Sequence, residues 1–279
     1  MRILLISDFG IEHTPGGAQR SNQIIVEEGI ARGHDVRLFH YDSNTSLLLD
    51  SYDFVISSNL EVISRVYPKL VENIPLLKNH VRLEHDSNSY WNNDFRKYFW
   101  SSCIKSFFLS EFHLQFFKEL YGDIFNNVVI VPDPIDSSFY DMKLKRSDDI
   151  GYIGFFHELK GTGNFVEFAN DNMDKKFLVA GWGSDEWIAQ IKGLDNVKFL
   201  GKIEYRDMRL FYNMISSLYY NPICNEPFCR SVGEALMCGT KIIGGSNKIG
   251  SLEMFKRCET FREKCINAAS DFWKIIENV

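Results

Sequence analysis

Short apolar runs alternate along the chain with longer segments whose apolar positions recur every three or four residues. "RILLIS" (2–7), "DVRLFH" (35–40), "DFVISS" (53–58), "VRLEH" (81–85), "SFFLS" (106–110) and "NVVIVP" (127–132) read as strands. Between the first two, the pattern predicts a helix from about Ala18 to Arg32, closed by Gly33. "SEFHLQFFKELYG" (110–122) predicts another, with Ser110 as N-cap, a closing Gly122 and a Phe-rich stripe turned to the core.

The alternation lapses between Asp136 and Asp149, in the polar stretch "DSSFYDMKLKRSDD". A second series follows: "IGYIGF" (150–155), "KFLVAG" (176–181), "VKFLG" (197–201), "SLYYNP" (217–222) and "TKIIGG" (240–245). Strands alternating with helices imply parallel sheets built from right-handed βαβ units. The expected organisation is therefore α/β: a Rossmann-like domain over 1–140, a linker over 141–148 and a second Rossmann-like domain over 149–262. A C-terminal helix over 263–279, anchored by Phe272, Trp273 and Ile276, is expected to pack back on the first domain. In such pairs, ligands bind at the carboxyl ends of the strands.

Composition narrows the function. A chain of 279 residues, 45% hydrophobic and 24% charged, fits an ordinary globular protein. A net charge of −6 argues against a general nucleic-acid binder. No apolar run approaches the roughly 20 residues that span a bilayer, which leaves peripheral membrane contact open. "MRILLISDFG" lacks a small-residue cleavage site and reads as a first strand, not a signal peptide. The six cysteines form no C-x-x-C pair and no zinc spacing, so reduced thiols and a cytoplasmic location are expected.

The stretch "NEPFCRSVGEALMCG" (225–239) carries the chemistry. Ser231 and Glu234 have the spacing of a capping box, and Gly239 could end a short helix. That leaves Glu226 unexplained, together with Arg230 beside a helix N-terminus, where anions bind. No D-x-D pair suggests a bound metal ion, and no G-x-G-x-x-G follows the first strand, which disfavours a nicotinamide dehydrogenase.

Two Rossmann-like halves with glutamates eight apart resemble the GT-B-fold glycosyltransferases, in particular the retaining family 4 with its E-x7-E motif. "YYNPICNEPFCRSVGEALMCGTKII" (219–243) is similar to that family's run around the motif. "VVIVPDPIDSSF" (128–139), "GFFHELKG" (154–161), "TPGGAQ" (14–19) and "EHD" (84–86) match further segments in order. The resemblance implies two domains facing across a cleft and a metal-independent transfer of a sugar from a nucleotide-diphosphate donor to an acceptor hydroxyl. The donor is a substrate, and no cofactor is implied.

Residue by residue, the resemblance gives Lys160 and Arg230 the leaving group, Glu234 the ribose hydroxyls, Glu226 the donor sugar and His85 the transferred sugar. Gly16, Gly17 and Gly154 would allow close backbone approach, and Phe228, Cys229 and Ser231 would border the donor. Phe155 stands where the family has an arginine, so Arg230 is expected to supply the missing guanidinium from another loop. The alternatives are a catalytically idle GT-B-like module that binds a sugar nucleotide or a partner and, less favoured, an epimerase. The acceptor implied is a hydroxyl of a glycan, a lipid-linked molecule or a small molecule.

Overall fold

In the first strand, Ile3 and Leu5 project to one side, Leu4 and Ile6 to the other, and all four are fully buried. A strand buried on both faces needs cover on both, which a parallel sheet obtains from its crossover helices. The computed structural model describes residues 1–12, 16–43, 48–87, 93–245 and 247–279 and meets that requirement twice. Two compact units result: Met1–Pro134 with Glu263–Val279, and Ile135–Arg262.

The first unit holds β1 (Arg2–Ile6), β2 (Asp35–Phe39), β3 (Phe54–Ser57), β4 (His80–Leu83), β5 (Lys105–Phe108) and β6 (Val128–Ile130). They pair in parallel in the order β2-β1-β3-β4-β5-β6. Its crossover helices are α1 (Gly17–Ala31), α2 (Glu61–Val66), α3 (Pro68–Asn73), α4 (Asn93–Ser101) and α5 (Glu111–Tyr121). Thr14 and Pro15 of the glycine-rich loop lie outside the described residues.

The second unit holds β7 (Ile150–Phe156), β8 (Phe177–Gly183), β9 (Val197–Phe199), β10 (Ser217–Tyr219) and β11 (Lys241–Ile243), in the order β11-β10-β7-β8-β9. Around them lie α6 (Thr162–Asp171), α7 (Asp185–Lys192), α8 (Tyr205–Met214), α9 (Arg230–Met237) and α10 (Gly250–Arg257). The chain ends in α11 (Phe261–Ile276).

The tail anchors enter the first unit's core. Phe272, Trp273 and Ile276 are buried in one cluster with Ile3, Leu5 and Ile25. The Trp273 indole N–H donates to the Ile25 carbonyl at 2.7 Å. Gly29 of α1 makes room for that indole: a Cβ there would lie 2.3 Å from the ring.

The stretch 141–148, expected as a linker, is tied into the second unit. Met142 N–H donates to Asn213 Oδ1 at 2.8 Å, and Arg146 reaches the carbonyls of Tyr212 (2.7 Å) and Ile215 (3.1 Å). Ile135 and Phe139, each 2% exposed, have already entered that unit. The polarity that suggests a linker belongs to side chains that satisfy buried backbone groups. Among the described residues no helix is long and apolar enough to cross a membrane.

Candidate functional site

Each sheet has a switch point, where the chain leaves a strand to one side and returns on the other, and a crevice opens at the carboxyl ends. In the second unit the switch lies between β7 and β10. After β7, the His157 ring accepts from Leu159 N–H at 3.2 Å and starts a 3-10 turn, Glu158–Lys160, ending at Gly161 with φ +77°. A Cβ on Gly161 would sit 2.0 Å from the Asn221 carbonyl oxygen, so glycine lets this loop close on the loop after β10.

That closure brings Lys160 to Glu226. The Lys160 Nζ donates to Glu226 Oε1 at 2.6 Å, and the Tyr220 hydroxyl donates to the same oxygen at 2.8 Å. The Glu226 main chain is pinned through its N–H to the Lys248 carbonyl and its carbonyl to Gly250 N–H, at 2.7 and 3.0 Å. Burial alone would depress Lys160, but the Glu226 carboxylate holds it above the usual lysine range. The lysine side chain is 42% exposed and the glutamate 9%, so the ammonium is the group an incoming anion meets.

The second glutamate holds a second cation. Glu234, one turn into α9, receives the Tyr205 hydroxyl (3.2 Å) and the Arg230 guanidinium (3.4 Å) on Oε1, and the Tyr212 hydroxyl (3.3 Å) on Oε2. Arg230 also donates to Tyr205 at 3.0 Å. Burial raises Glu234 above the usual carboxylate range, and Arg230 opposes that shift. Arg230 and Glu234 side chains are 6% and 2% exposed, so Arg230 is no surface residue.

The capping box is not formed. Cys229 precedes α9 with φ 66° and gives it no side-chain cap, Ser231 is already helical, and Glu234 points to the tyrosines. Burial first, then Glu226, pushes the Cys229 thiol well up, so it is a neutral group here. Phe228 is 1% exposed and stacks on Phe261, so its side chain is core and only its backbone could border a ligand. Gly154 lies in β7 with φ +139°, and the neighbouring Phe155 is 46% exposed beside His157 and Trp182.

In the first unit the carboxyl ends carry a polar cluster. At the switch between β1 and β3, Asn22 Nδ2 of α1 donates to Ser7 Oγ and Ser58 Oγ at 3.0 and 3.1 Å. Asp8 accepts the N–H groups of Glu61, Val62 and Ile63 at 2.8–3.0 Å and so caps α2 from another strand. Gly16 precedes α1 without a side-chain cap, and Gly17 is its first residue.

His85 follows β4 and is held in a built loop. Asp86 N–H donates to Glu84 Oε1 (3.1 Å), its carboxylate accepts from Asn59 (2.8 Å), and its carbonyl takes His113 Nε2–H (3.0 Å). Beneath, the buried Arg82 forms a two-pronged pair with Glu84, both contacts 2.9 Å. Burial pushes His113 down to about 3, so it is neutral and its tautomer is set by Leu109 N–H on Nδ1. Sequence reasoning missed Asp8, Asn59 and His113, which have no motif around them, and Asp133, which lies inside the matched segment 128–139 without being singled out. For Asp8, Asn59 and Asp133 the position just after a strand was the available signal; His113 lies in α5.

Residues 147–267, which contain Lys160, Glu226, Arg230 and Glu234, match the family described as glycosyl transferases group 1. HepE of Anabaena, solved with UDP and glucose, is similar over 100% of this chain and 95% of its own, with a TM-score of 0.62 and 16% identity. Sucrose-phosphate synthase from Thermosynechococcus elongatus matches 99% of this chain and 96% of its own at 0.70 and 14%. A glycosyltransferase from Rickettsia africae matches 99% and 98% at 0.63 and 15%. No curated protein matches the sequence. The shared architecture is the GT-B arrangement of two Rossmann-like α/β domains.

Proposed function

We propose that this chain, a glycosyltransferase by its group 1 domain and its GT-B fold, moves a sugar from a nucleoside-diphosphate donor to an acceptor hydroxyl with retention and without a metal ion. One observation carries the reading: each glutamate of the E-x7-E pair holds a cation, Glu226 with Lys160 and Glu234 with Arg230. A diphosphate arriving at the start of α9 competes for both cations, because phosphate oxygens accept charge-assisted bonds as well as carboxylates do. The released Glu226 then faces sugar hydroxyls, and Glu234 the ribose.

The bond from the anomeric carbon to the diphosphate breaks with its electron pair on the phosphate oxygen. Lys160 and Arg230 stabilise that charge as it grows. The acceptor oxygen attacks from the same side and passes its proton to the departing phosphate, and His85 offers a ring nitrogen to a sugar hydroxyl. A uridine donor is the first to try, since HepE was solved with UDP-glucose. The acceptor is a hydroxyl of a glycan, a lipid-linked sugar or a small molecule, with the work done in the cytoplasm.

Exposed Phe155, where the family resemblance expects a guanidinium, favours a second reading: an idle module that binds the donor without turnover. Incubation with UDP-glucose and a panel of sugar acceptors, with the product's anomeric coupling read by NMR, decides between them. An α-linked product from the α-donor supports the proposal. A β-linked product removes retention, and donor binding without any product supports the idle module.

A further inference from the structure

Two large aromatic side chains are left in water at the carboxyl ends of β7 and β8. Phe155 is 46% exposed and Trp182 40%, and the two residues pair across the strands. Their ring centroids lie 6.0 Å apart, and the His157 ring stacks on Phe155 at 5.9 Å. Lys202 Nζ sits 5.3 Å from the centre of the Trp182 ring, within range of a cation–π contact. Adjoining aromatics left exposed beside a cation mark a surface that takes a flat ligand.

Strand alternation decides which side of the sheet carries this shelf. Tyr152, Phe156, Phe177 and Val179 belong to the core on one face, so Phe155 and Trp182 point to the other. That other face is covered by α8: a Cβ on Gly151 would meet Phe211 of α8 and Ile215 just after it. The shelf is therefore on the side of the helix whose Tyr205 and Tyr212 hold Glu234. The Gly181 N–H donates to the Gly201 carbonyl at 2.9 Å, tying the end of β8 to the loop that leads into α8. Lys202 stands three residues before Tyr205, so at most about 10 Å of chain separates the two.

We propose that Trp182, flanked by Phe155, is the shelf on which the donor's nucleobase stacks, and that Lys202 selects bases with a carbonyl oxygen at their edge. The proposal deepens the donor reading above and rests on it: with the ribose on Glu234, the base lies within reach of the loop carrying Lys202. An indole stacks on any base, so stacking supplies affinity without choice. Choice comes from the ammonium, which has three protons to donate and no lone pair to accept with. Its stem is flexible and exposed, so a base entering over the indole meets Nζ at its edge. A carbonyl oxygen of uracil or guanine takes a charge-assisted bond there, whereas the amino group of adenine sets donor against donor. Phe155, which has no charge to offer a phosphate, serves as the second wall of the shelf.

Calorimetry on the full chain with UDP, GDP, ADP and inorganic pyrophosphate separates the base from the phosphates. UDP or GDP is expected to bind about tenfold or more tightly than both pyrophosphate and ADP. Trp182→Ala should weaken the better nucleotide about tenfold or more while leaving pyrophosphate nearly unchanged, and Trp182→Phe should restore most of the loss. Lys202→Met, which keeps the stem and removes the ammonium, should erase most of the preference over ADP. Nucleotides that bind no better than pyrophosphate overturn the shelf, and that measurement needs no variant to fold; so does a Trp182→Ala loss shared equally by pyrophosphate. ADP bound as tightly as UDP and GDP, or a preference that survives Lys202→Met, overturns the selection. Nucleotide binding as expected but without sugar transfer fails the transferase reading instead and leaves the shelf standing.

Discussion

Removing Arg230 strands a buried carboxylate, and the size of the effect can be worked out in advance. Glu234 is 2% exposed, and its guanidinium partner sits 3.4 Å away. At an effective dielectric constant near 20, that separation gives about 5 kcal/mol of gross attraction. Arg230→Ala cannot cost that much at neutral pH, because the carboxylate escapes by taking a proton. From an ordinary glutamate value of 4.5, protonation costs about 0.7 kcal/mol at pH 5 and about 3.4 kcal/mol at pH 7. Burial raises Glu234 in the fold, so its folded value lies above its unfolded one. The sign follows: the penalty is absent below about pH 4.5 and grows as pH rises toward the folded value.

Urea melts of Arg230→Ala at pH 5 and pH 7 should therefore differ from wild type by a small and a larger amount respectively, with the gap at most about 3 kcal/mol because burial already raises Glu234 in the wild type. Glu234→Gln in the Arg230→Ala background should recover most of the loss at pH 7, since the stranded charge is gone. An Arg230→Ala deficit that is equal at the two pH values, or that survives Glu234→Gln, refutes the reasoning. In turnover, Arg230→Lys should already lose rate, because a point charge does not reproduce the planar fork.

Lys160→Ala should cost less stability than Arg230→Ala, because the lysine side chain is 42% exposed and Glu226 Oε1 keeps the Tyr220 hydroxyl. Its kcat should nevertheless fall about ten- to a hundredfold, the cost of a charge-assisted bond to the leaving group, as measured by UDP release. EDTA should leave the rate of transfer unchanged if the cations at the E-x7-E pair carry the diphosphate; loss on chelation, restored by Mn²⁺ or Mg²⁺, counts against them.

Much of the fold was legible because short apolar runs such as Ile3–Ile6 must be buried on both faces, and only covered parallel sheets do that. The E-x7-E stretch and Lys160 were legible through ordered motifs. What the sequence does not carry is which charges pair. Arg230 and Glu234 are four apart, yet their burial depends on Tyr205 and Tyr212, which arrive from α8. Phe228 reads as a ligand wall from its neighbours, whereas its packing on Phe261 makes it core. The contacts of Asp133 with His85 and of Asn59 with Asp86 exist only because strand order brings distant loops to one edge. The ties of 141–148 to the second unit have the same origin: Arg146 looks solvated until the carbonyls of Tyr212 and Ile215 are placed around it.

The central claim, that the switch point of the second unit takes a diphosphate by drawing Lys160 and Arg230 away from the two glutamates, is tested most directly by calorimetry with UDP and UMP on the wild type and on Lys160→Ala. The wild type should bind UDP about tenfold or more tightly than UMP, and Lys160→Ala should erase most of that difference while leaving UMP affinity nearly unchanged. Equal affinities for UDP and UMP in the wild type, or a preference for UDP that persists undiminished without Lys160, would contradict it.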